Sequence, residues 1–327
     1  MENQAAARVA AIVPCYKVKE QILSVLAAMP EQIHGVFVVD DACPQKSGKM
    51  VASECQDPRV KVVFLTKNQG VGGAVMAGYQ AAIAAGYDIL VKIDGDGQMD
   101  PQLAASFVGP ILSGEADYTK GNRFYDLEQI RQMPKTRLFG NAVLSFMCKL
   151  SSGYWDLFDP TNGYTAIHAN VARHIPFEQV SKRYFFETDL LFRLNTLRAA
   201  VVDIPMDAHY GEEVSNLKVS RIIGEFLRKH VRNFMKRIFY NYYLRDLSLA
   251  SLELPFGLAL LGFGSIFGVA NWIHFWRVNA EAPTGTVVLA AMTTMVGLQF
   301  LLAFFAHDIA SLPRRAIHRS IVSARKP

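Results

Sequence analysis

The sequence predicts an α/β domain built on a mixed, mostly parallel sheet, followed by a C-terminal hairpin of two membrane-spanning helices. Short β-branched runs alternate with helical stretches through the N-terminal part of the chain, the pattern of strand–helix–strand units. Further on, residues 254–276 and 286–306 contain no charged side chain, and each is long enough to cross a hydrocarbon core of about 30 Å. The charge falls in blocks. Residues 1–217 carry 20 Lys/Arg against 24 Asp/Glu, and residues 218–246 carry 8 against 2. Residues 247–306 carry 1 against 2, and the tail from 307 carries 5 against 1. The overall charge of +5 therefore belongs to two short segments flanking the apolar runs, which excludes a basic nucleic-acid-binding domain; no nucleic-acid partner is expected. With 327 residues, 51% of them hydrophobic, the chain is not disordered and has room for one large or two ordinary domains.

Taken in order, residues 9–13, 36–39, 60–65 and 89–93 read as strands, and residues 21–29, 49–55 and 71–85 as the helices between them. In such a sheet, ligands bind at the carboxyl ends of the strands. The polar clusters fall there: Val13-Pro14-Cys15-Tyr16, then Asp40-Asp41, then Asn68-Gln69-Gly70-Val71-Gly72-Gly73, then Asp94-Gly95-Asp96-Gly97-Gln98. A further strand is expected at 118–120, ending in Gly121-Asn122-Arg123, with Arg137 in a helical stretch after it. The turn Asp159-Pro160-Thr161-Asn162-Gly163-Tyr164 and a helix start at Phe185-Phe186-Glu187-Thr188-Asp189 complete this part. The four cysteines form no paired motif and read as small core residues. The first residues do not have the form of a signal peptide.

Asp94 and Asp96 can turn carboxylates toward one hard cation, Mg²⁺ or Mn²⁺, with Gln98 adding a neutral oxygen and a diphosphate supplying the rest. The same Asp-Gly-Asp-Gly run also suits a surface turn; its place directly after a buried strand favours the metal. Asp40 and Asp41 can accept from a ribose hydroxyl or a base N–H, or can cap the following turn and helix. The run through Gly72 resembles a phosphate cradle without the Lys-Ser/Thr of a P-loop, and its glycines equally allow close backbone approach. Arg123 and Arg137 offer guanidinium forks for a second phosphate, or surface ion pairs. Either Glu187 or Asp189 can face the cleft, and Asp189 is the candidate general base.

With these motifs in order, the chain resembles the family 2 glycosyltransferases of GT-A fold, a Rossmann-like architecture. More narrowly, it is similar to the polyprenyl-phosphate glycosyltransferases of the dolichol-phosphate-mannose-synthase-like and bacterial glucosyl-carrier type. Ile204-Pro205 joins the motifs quoted above in carrying the resemblance, which covers residues 8–217. It implies inverting transfer of a sugar from a nucleotide-sugar donor (UDP-glucose-like or GDP-mannose-like) to a polyprenyl phosphate such as undecaprenyl phosphate. It also implies that Asp94, Asp96 and Gln98 hold metal and diphosphate, Pro14, Tyr16 and Asp41 line the nucleotide, and Arg123 and Arg137 grip the lipid phosphate. Two elements depart from the family pattern. Asp-Asp-Gly-Ser reads Asp40-Asp41-Ala42-Cys43, and the Arg-x-x-Gly-x-Ser-Lys element is replaced across residues 209–218. A polysaccharide synthase using a glycan hydroxyl, or a non-catalytic membrane scaffold, are the alternatives; the first lacks its Gln-x-x-Arg-Trp element, and the second would not need the Asp-x-Asp.

The basic segment then has a place. Val219, Ile222, Ile223, Phe226, Phe234 and Ile238 recur at helical spacing among six lysines and arginines, the pattern of a helix lying on anionic membrane lipid. The positive flanks place both termini and the catalytic domain on the cytoplasmic side of a multi-pass inner-membrane protein. Gly264-x-x-x-Gly268 is a helix-association pattern compatible with a homo-oligomer. The expected organisation is a catalytic domain at 1–217, juxtamembrane helices at 218–250, two spans within 251–307 and a basic tail at 308–327.

Overall fold

The computed structural model describes residues 7–125, 135–160, 162–206 and 219–321. They form two compact units, Met1–Phe234 with Pro313–Pro327, and Met235–Leu312.

The first unit is built on a seven-stranded sheet: β1 (Val9–Cys15), β2 (Gly35–Asp40), β3 (Val60–Phe64), β4 (Ile89–Lys92), β5 (Tyr118–Asn122), β6 (Thr165–His168) and β7 (Val201–Pro205). The order is β3-β2-β1-β4-β6-β5-β7, and only β6 runs antiparallel to its neighbours. All five predicted strands are present. Strands β6 and β7 lie outside the predicted set, because β6 has only four residues and its pairing with β4 and β5 fixes it more than local propensity does. The helices are α1 (Ile22–Ala27), α2 (Ser47–Glu54), α3 (Val71–Ala84), α4 (Ala104–Ser113), α5 (Lys135–Ser152), α6 (Phe186–Leu197) and α7 (Val219–Phe239).

Period-two alternation decides which layer each strand residue enters. Val9, Ala11, Val13 and Cys15 of β1 join one core with Ile22, Val25 and Leu26 of α1 and Phe107 and Ile111 of α4. Ile12 faces α3 on the other side, where Gly78 permits contact: a Cβ there would sit 2.3 Å from Ile12 Cγ2. Of the cysteines, Cys15, Cys43 and Cys148 are buried, Cys55 is half-buried and all four are free, as expected of core residues.

The domain limits differ from expectation at both ends. The first unit continues through α7 to Phe234, and residues 313–321 return to it instead of extending as a separate tail. The reason is Asp117, fully buried ahead of β5. Its carboxylate accepts from Ile317 N (2.9 Å), His318 N (2.8 Å), His318 Nδ1 (2.8 Å) and Ala200 N (2.8 Å). The His318 ring stacks on His168 at 4.3 Å, and Arg319 Nη2 donates to Ser113 O at 2.6 Å.

In the second unit, α8 (Leu249–Arg277) and α9 (Thr284–Ala310) each contain an 18-residue stretch of high mean hydropathy, 1.7 and 2.1, and pack against each other. Glycines set the spacing: a Cβ on Gly297 would lie 2.4 Å from Leu261 N, and one on Gly264 2.4 Å from Thr294 Oγ1. The Gly264–Gly268 pattern therefore serves the hairpin itself. Near its open end, buried Arg237 and Asp308 pair at 2.6 Å, and Tyr242 OH donates to the same carboxylate at 2.7 Å.

Removing the Asp117 carboxylate strands several buried donors at once. Asp117→Ala is expected to destabilise the full chain in detergent by about 3 kcal/mol or more, read as a lowered unfolding midpoint. A second expectation concerns pH. Burial, with His318 adding to it, holds the His168 ring down to about 4 from its ordinary 6.5, and burial holds His230 to about 4. Between those values the unfolded chain binds more protons than the folded one, so stability is intact above about pH 6.5 and is lost as pH falls toward 4. Changing His168 and His230 together to Asn should shrink the loss of stability between pH 7 and pH 5; an unchanged difference would reject this origin.

Candidate functional site

The sheet brings the predicted clusters to one edge. β1, β2 and β4 end in Cys15-Tyr16, Asp40-Asp41 and Ile93-Asp94, with Cys15 paired to Asp40 and Ile12 to Lys92. β6 enters in the opposite sense, so its amino end, Gly163-Tyr164, lies at this edge beside the carboxyl end of β4. Asn122-Arg123 closes β5 at the same edge.

Asp94, Asp96 and Gln98 occupy the turn after β4, each half-buried. Asp96 Oδ1 accepts from Gln98 N at 3.0 Å, and Gly97 adopts φ +79°, which folds the turn back on itself. Asp94 Oδ1 lies 2.7 Å from Lys92 Nζ. Gly163 is required opposite it, since a Cβ there would meet Lys92 Nζ at 2.6 Å and Asp94 Oδ2 at 3.0 Å. Among the described residues no group of three or more His, Cys, Asp or Glu is placed to hold a metal ion, so the turn itself offers two carboxylates and an amide oxygen. Such a hard, incomplete oxygen set fits Mg²⁺ or Mn²⁺ shared with a diphosphate, and does not fit a closed structural metal.

Two buried lysines lie beneath this turn, and neither belongs to the predicted site. Lys92 Nζ donates to Gly163 O at 2.9 Å, and Lys120 Nζ donates to Asn162 O. Burial pushes the Lys120 ammonium down to about 8, against the pull of Glu187 and Asp159. For Lys92 a signal was present in the sequence, a lone cation inside the apolar run 89–93, where a lysine is seldom buried unless partnered; Lys120, in the polar run Tyr118-Thr119-Lys120-Gly121-Asn122, carries none.

Glu187 and Asp189 stand two residues apart at the start of α6, roughly 200° around the helix, so they point to opposite sides. Glu187 faces the lysines; burial raises its carboxyl, with Lys92 and Lys120 opposing. Asp189 turns the other way. Its Oδ2 accepts from Ser181 N at 2.8 Å and its Oδ1 from Asn233 Nδ2 of α7 at 3.0 Å. Both Asp189 oxygens are thus engaged within the protein, and Glu187 is the one of the two on the side of Lys92 and Lys120.

The nucleotide-side loops are internally bonded too. Asp40 accepts from Cys43 N (2.7 Å) and Gly48 N (2.8 Å), shaping the loop that enters α2. Asp41 accepts from Gln69 N (2.6 Å) and Gly70 N (2.8 Å), tying the glycine loop to the end of β2. The capping alternative thus describes Asp40, and Asp41 anchors a loop. Gly72 donates its N–H to Lys182 O at 3.0 Å, and a Cβ there would strike Phe186 Cβ at 2.6 Å, so it is a close-approach glycine whose amide is already used. Tyr16, directly after Cys15 at the end of β1, keeps an exposed ring.

Arg123 is placed differently from expectation. Its Nε and Nη2 reach Asp159 Oδ2 and Oδ1 at 2.8 and 3.2 Å. Burial would raise the Asp159 carboxyl, and the guanidinium overrides it and holds the group below its ordinary range. This fork fixes the turn that supplies the carbonyls of Asn162 and Gly163 to the two lysines. Arg137 falls in α5, but its side chain lies outside the described residues, as do residues 209–218.

Residues 10–175 match the family described as Glycosyl transferase family 2. The undecaprenyl-phosphate mannosyltransferase of Micrococcus luteus is 32% identical over 67% of this chain and 90% of its own length. The polyprenol monophosphomannose synthase of Mycolicibacterium smegmatis is 29% identical over 68% of this chain and 83% of its own. Among solved structures, glucosyl-3-phosphoglycerate synthase from Mycobacterium tuberculosis, in complex with uridine diphosphate, shares the fold. It has a TM-score of 0.51 and 18% identity, over 71% of this chain and 80% of that one. With a family match across half its length laid over this strand order and this acidic turn, the chain belongs to glycosyl transferase family 2.

Proposed function

We propose that this chain transfers a sugar, with inversion, from a nucleotide sugar to a polyprenyl phosphate at the surface of a membrane. The observation that carries it is the Asp94–Asp96 turn at the carboxyl edge of the sheet, in a chain that continues into two helices of 29 and 27 residues whose stretches 254–276 and 286–306 carry no charge. The relatives named for undecaprenyl-phosphate and polyprenol-monophosphate mannosyl transfer support the acceptor.

When bound, Mg²⁺ or Mn²⁺ held by Asp94, Asp96 and Gln98 would neutralise the charge that develops on the departing nucleoside diphosphate. The protein's own groups do the rest. Lys92 holds the Asp94 carboxylate in place. Tyr16, Pro14 and Asp41 border the donor's nucleoside, with Asp41 setting the glycine loop that includes Gly72. Asp40 fixes the neighbouring turn. Arg123 shapes the acceptor side through Asp159, and Arg137 is the cation proposed for the lipid phosphate. A phosphate monoester has its second pKa near 6 and is largely dianionic at neutral pH, about the form needed to attack. An acceptor oxygen forms its bond to the anomeric carbon as the bond to the diphosphate breaks, and the electron pair leaves with the nucleoside diphosphate. No proton has to be removed, which fits an Asp189 whose oxygens are otherwise engaged.

On the same reading the chain is a cytoplasmic-membrane protein with the catalytic unit and both termini on the cytoplasmic side. The packing of residues 313–321 into the catalytic unit supports both hairpin ends lying on one side. The exposed Leu227 and Val231 of α7, next to Arg228 and Arg232, support a helix resting on anionic lipid.

The deciding experiment offers labelled UDP- and GDP-sugars to the purified enzyme with undecaprenyl phosphate, with and without EDTA. A labelled lipid formed only with metal supports the proposal; a water-soluble glycan without labelled lipid rejects it. Asp96→Ala is expected to lower kcat roughly hundredfold or more, in line with losing a principal charge-stabilising contact. Wild-type turnover in that variant would refute the metal assignment.

A further inference from the structure

Asp189 is buried, as is its partner Asn233, and their contacts run in two directions. Toward α7, Asp189 Oδ1 receives Asn233 Nδ2 at 3.0 Å. Toward the site, Asp189 Oδ2 receives Ser181 N at 2.8 Å. The next residue, Lys182, accepts through its main-chain oxygen from Gly72 N (3.0 Å) and Gly73 N (3.3 Å), and its Nζ reaches Gln69 Oε1 at 2.9 Å. Gln69 and Gly70 are held from the other side by Asp41. The contact at Gly72 has no slack, because a Cβ there would lie 2.7 Å from Ser181 O. A shift of residues 181–186 is therefore passed to the start of α3 by direct contact, as expected of close-packed interiors. α7 is seated independently as well: His230 Nδ1 lies 2.8 Å from Ser151 Oγ of α5, and its ring meets Phe185 edge-on at 4.9 Å.

We propose that Asn233 and Asp189 are positioning residues that make the geometry of the glycine loop at 69–73 depend on the seating of α7. Leu227 and Val231 lie on the outward side of the same helix, among Arg228, Lys229 and Arg232, so contact with an anionic bilayer is what would seat it. The membrane-facing helix thus sets the donor loop through one amide–carboxylate bond. The inference rests on the reading above that this loop borders the donor nucleotide.

The test uses the full chain in lipid nanodiscs, reading amide hydrogen exchange across residues 69–76 and the affinity for UDP and GDP in the presence of Mn²⁺. Asn233→Ala is expected to speed exchange across 69–76 about tenfold, the cost of one hydrogen bond to a buried charged group, and to weaken nucleotide binding by a similar factor. The exchanged pair D189N/N233D keeps both hydrogen bonds, the one donated by Ser181 N unchanged in direction and the one between the two side chains with donor and acceptor reversed, and should restore both readouts. Wild-type exchange at 69–76 should also be slower in anionic discs than in zwitterionic ones, and that difference should vanish in N233A. Should N233A fail to fold, N233Q, which keeps the amide but misplaces it, is read in the same way. Unchanged exchange at 69–76 in a folded N233 variant, no rescue by the exchanged pair, or no lipid dependence in the wild type would overturn the proposal. Faster exchange with unchanged nucleotide affinity would support the coupling and reject the donor-loop reading instead.

Discussion

A mostly parallel sheet with helices on both faces has little room for charge except along its edge, and this protein places charge directly beneath that edge. The Lys92–Asp94 pair is the interaction on which the site depends. Lys92 is 1% exposed, so it cannot be solvated by bulk water and must find oxygen within the fold. It finds the Asp94 carboxylate and the carbonyl of Gly163; Lys120, alongside, finds the carbonyl of Asn162. Those carbonyls face the lysines because Arg123 and Asp159 fix the turn that carries them. Removing the Asp94 carboxylate would leave the buried Lys92 ammonium without its counter-charge, which costs far more than the pair contributes. The Asp94–Asp96 turn is consequently presented by a preformed electrostatic scaffold.

A second consequence follows for the carboxylates outside the Asp94–Asp96 turn. Asp40, Asp41, Asp117, Asp159 and Asp189 are all buried and all accept hydrogen bonds from backbone amides or basic side chains. Each ties a loop to the sheet edge or, for Asp117, the returning tail to the opposite edge. Those five carboxylates thus serve the architecture, while Asp94 and Asp96 stay half-buried in the turn at the sheet edge.

The strands were legible from their β-branched runs, which in β1, β2 and β4 are buried on both faces, and the two apolar helices because nothing but a membrane or a large core demands such length without charge. The motif loops were legible as a group, since strand–helix alternation alone assigns them to one edge. Individual roles were not. The sequence leaves Gly72 between a phosphate cradle and a close-approach glycine, and the contact with Phe186, more than a hundred positions away, is the close approach. It leaves Arg123 between a phosphate ligand and an ion pair, and the structure pairs it with Asp159.

By itself, the sequence determined the α/β class, the edge on which the site forms, the Asp94-Gly95-Asp96 turn, the family resemblance and the hairpin, because each depends on periodicity or on residues adjacent in the chain. Only the tertiary structure decided which of Glu187 and Asp189 lies on the side of Lys92 and Lys120, that those lysines are the site's buried cations, and that residues 313–321 fold back onto Asp117. Those outcomes depend on partners far apart in the sequence, and the need to satisfy every buried polar group links them only once the chain is packed.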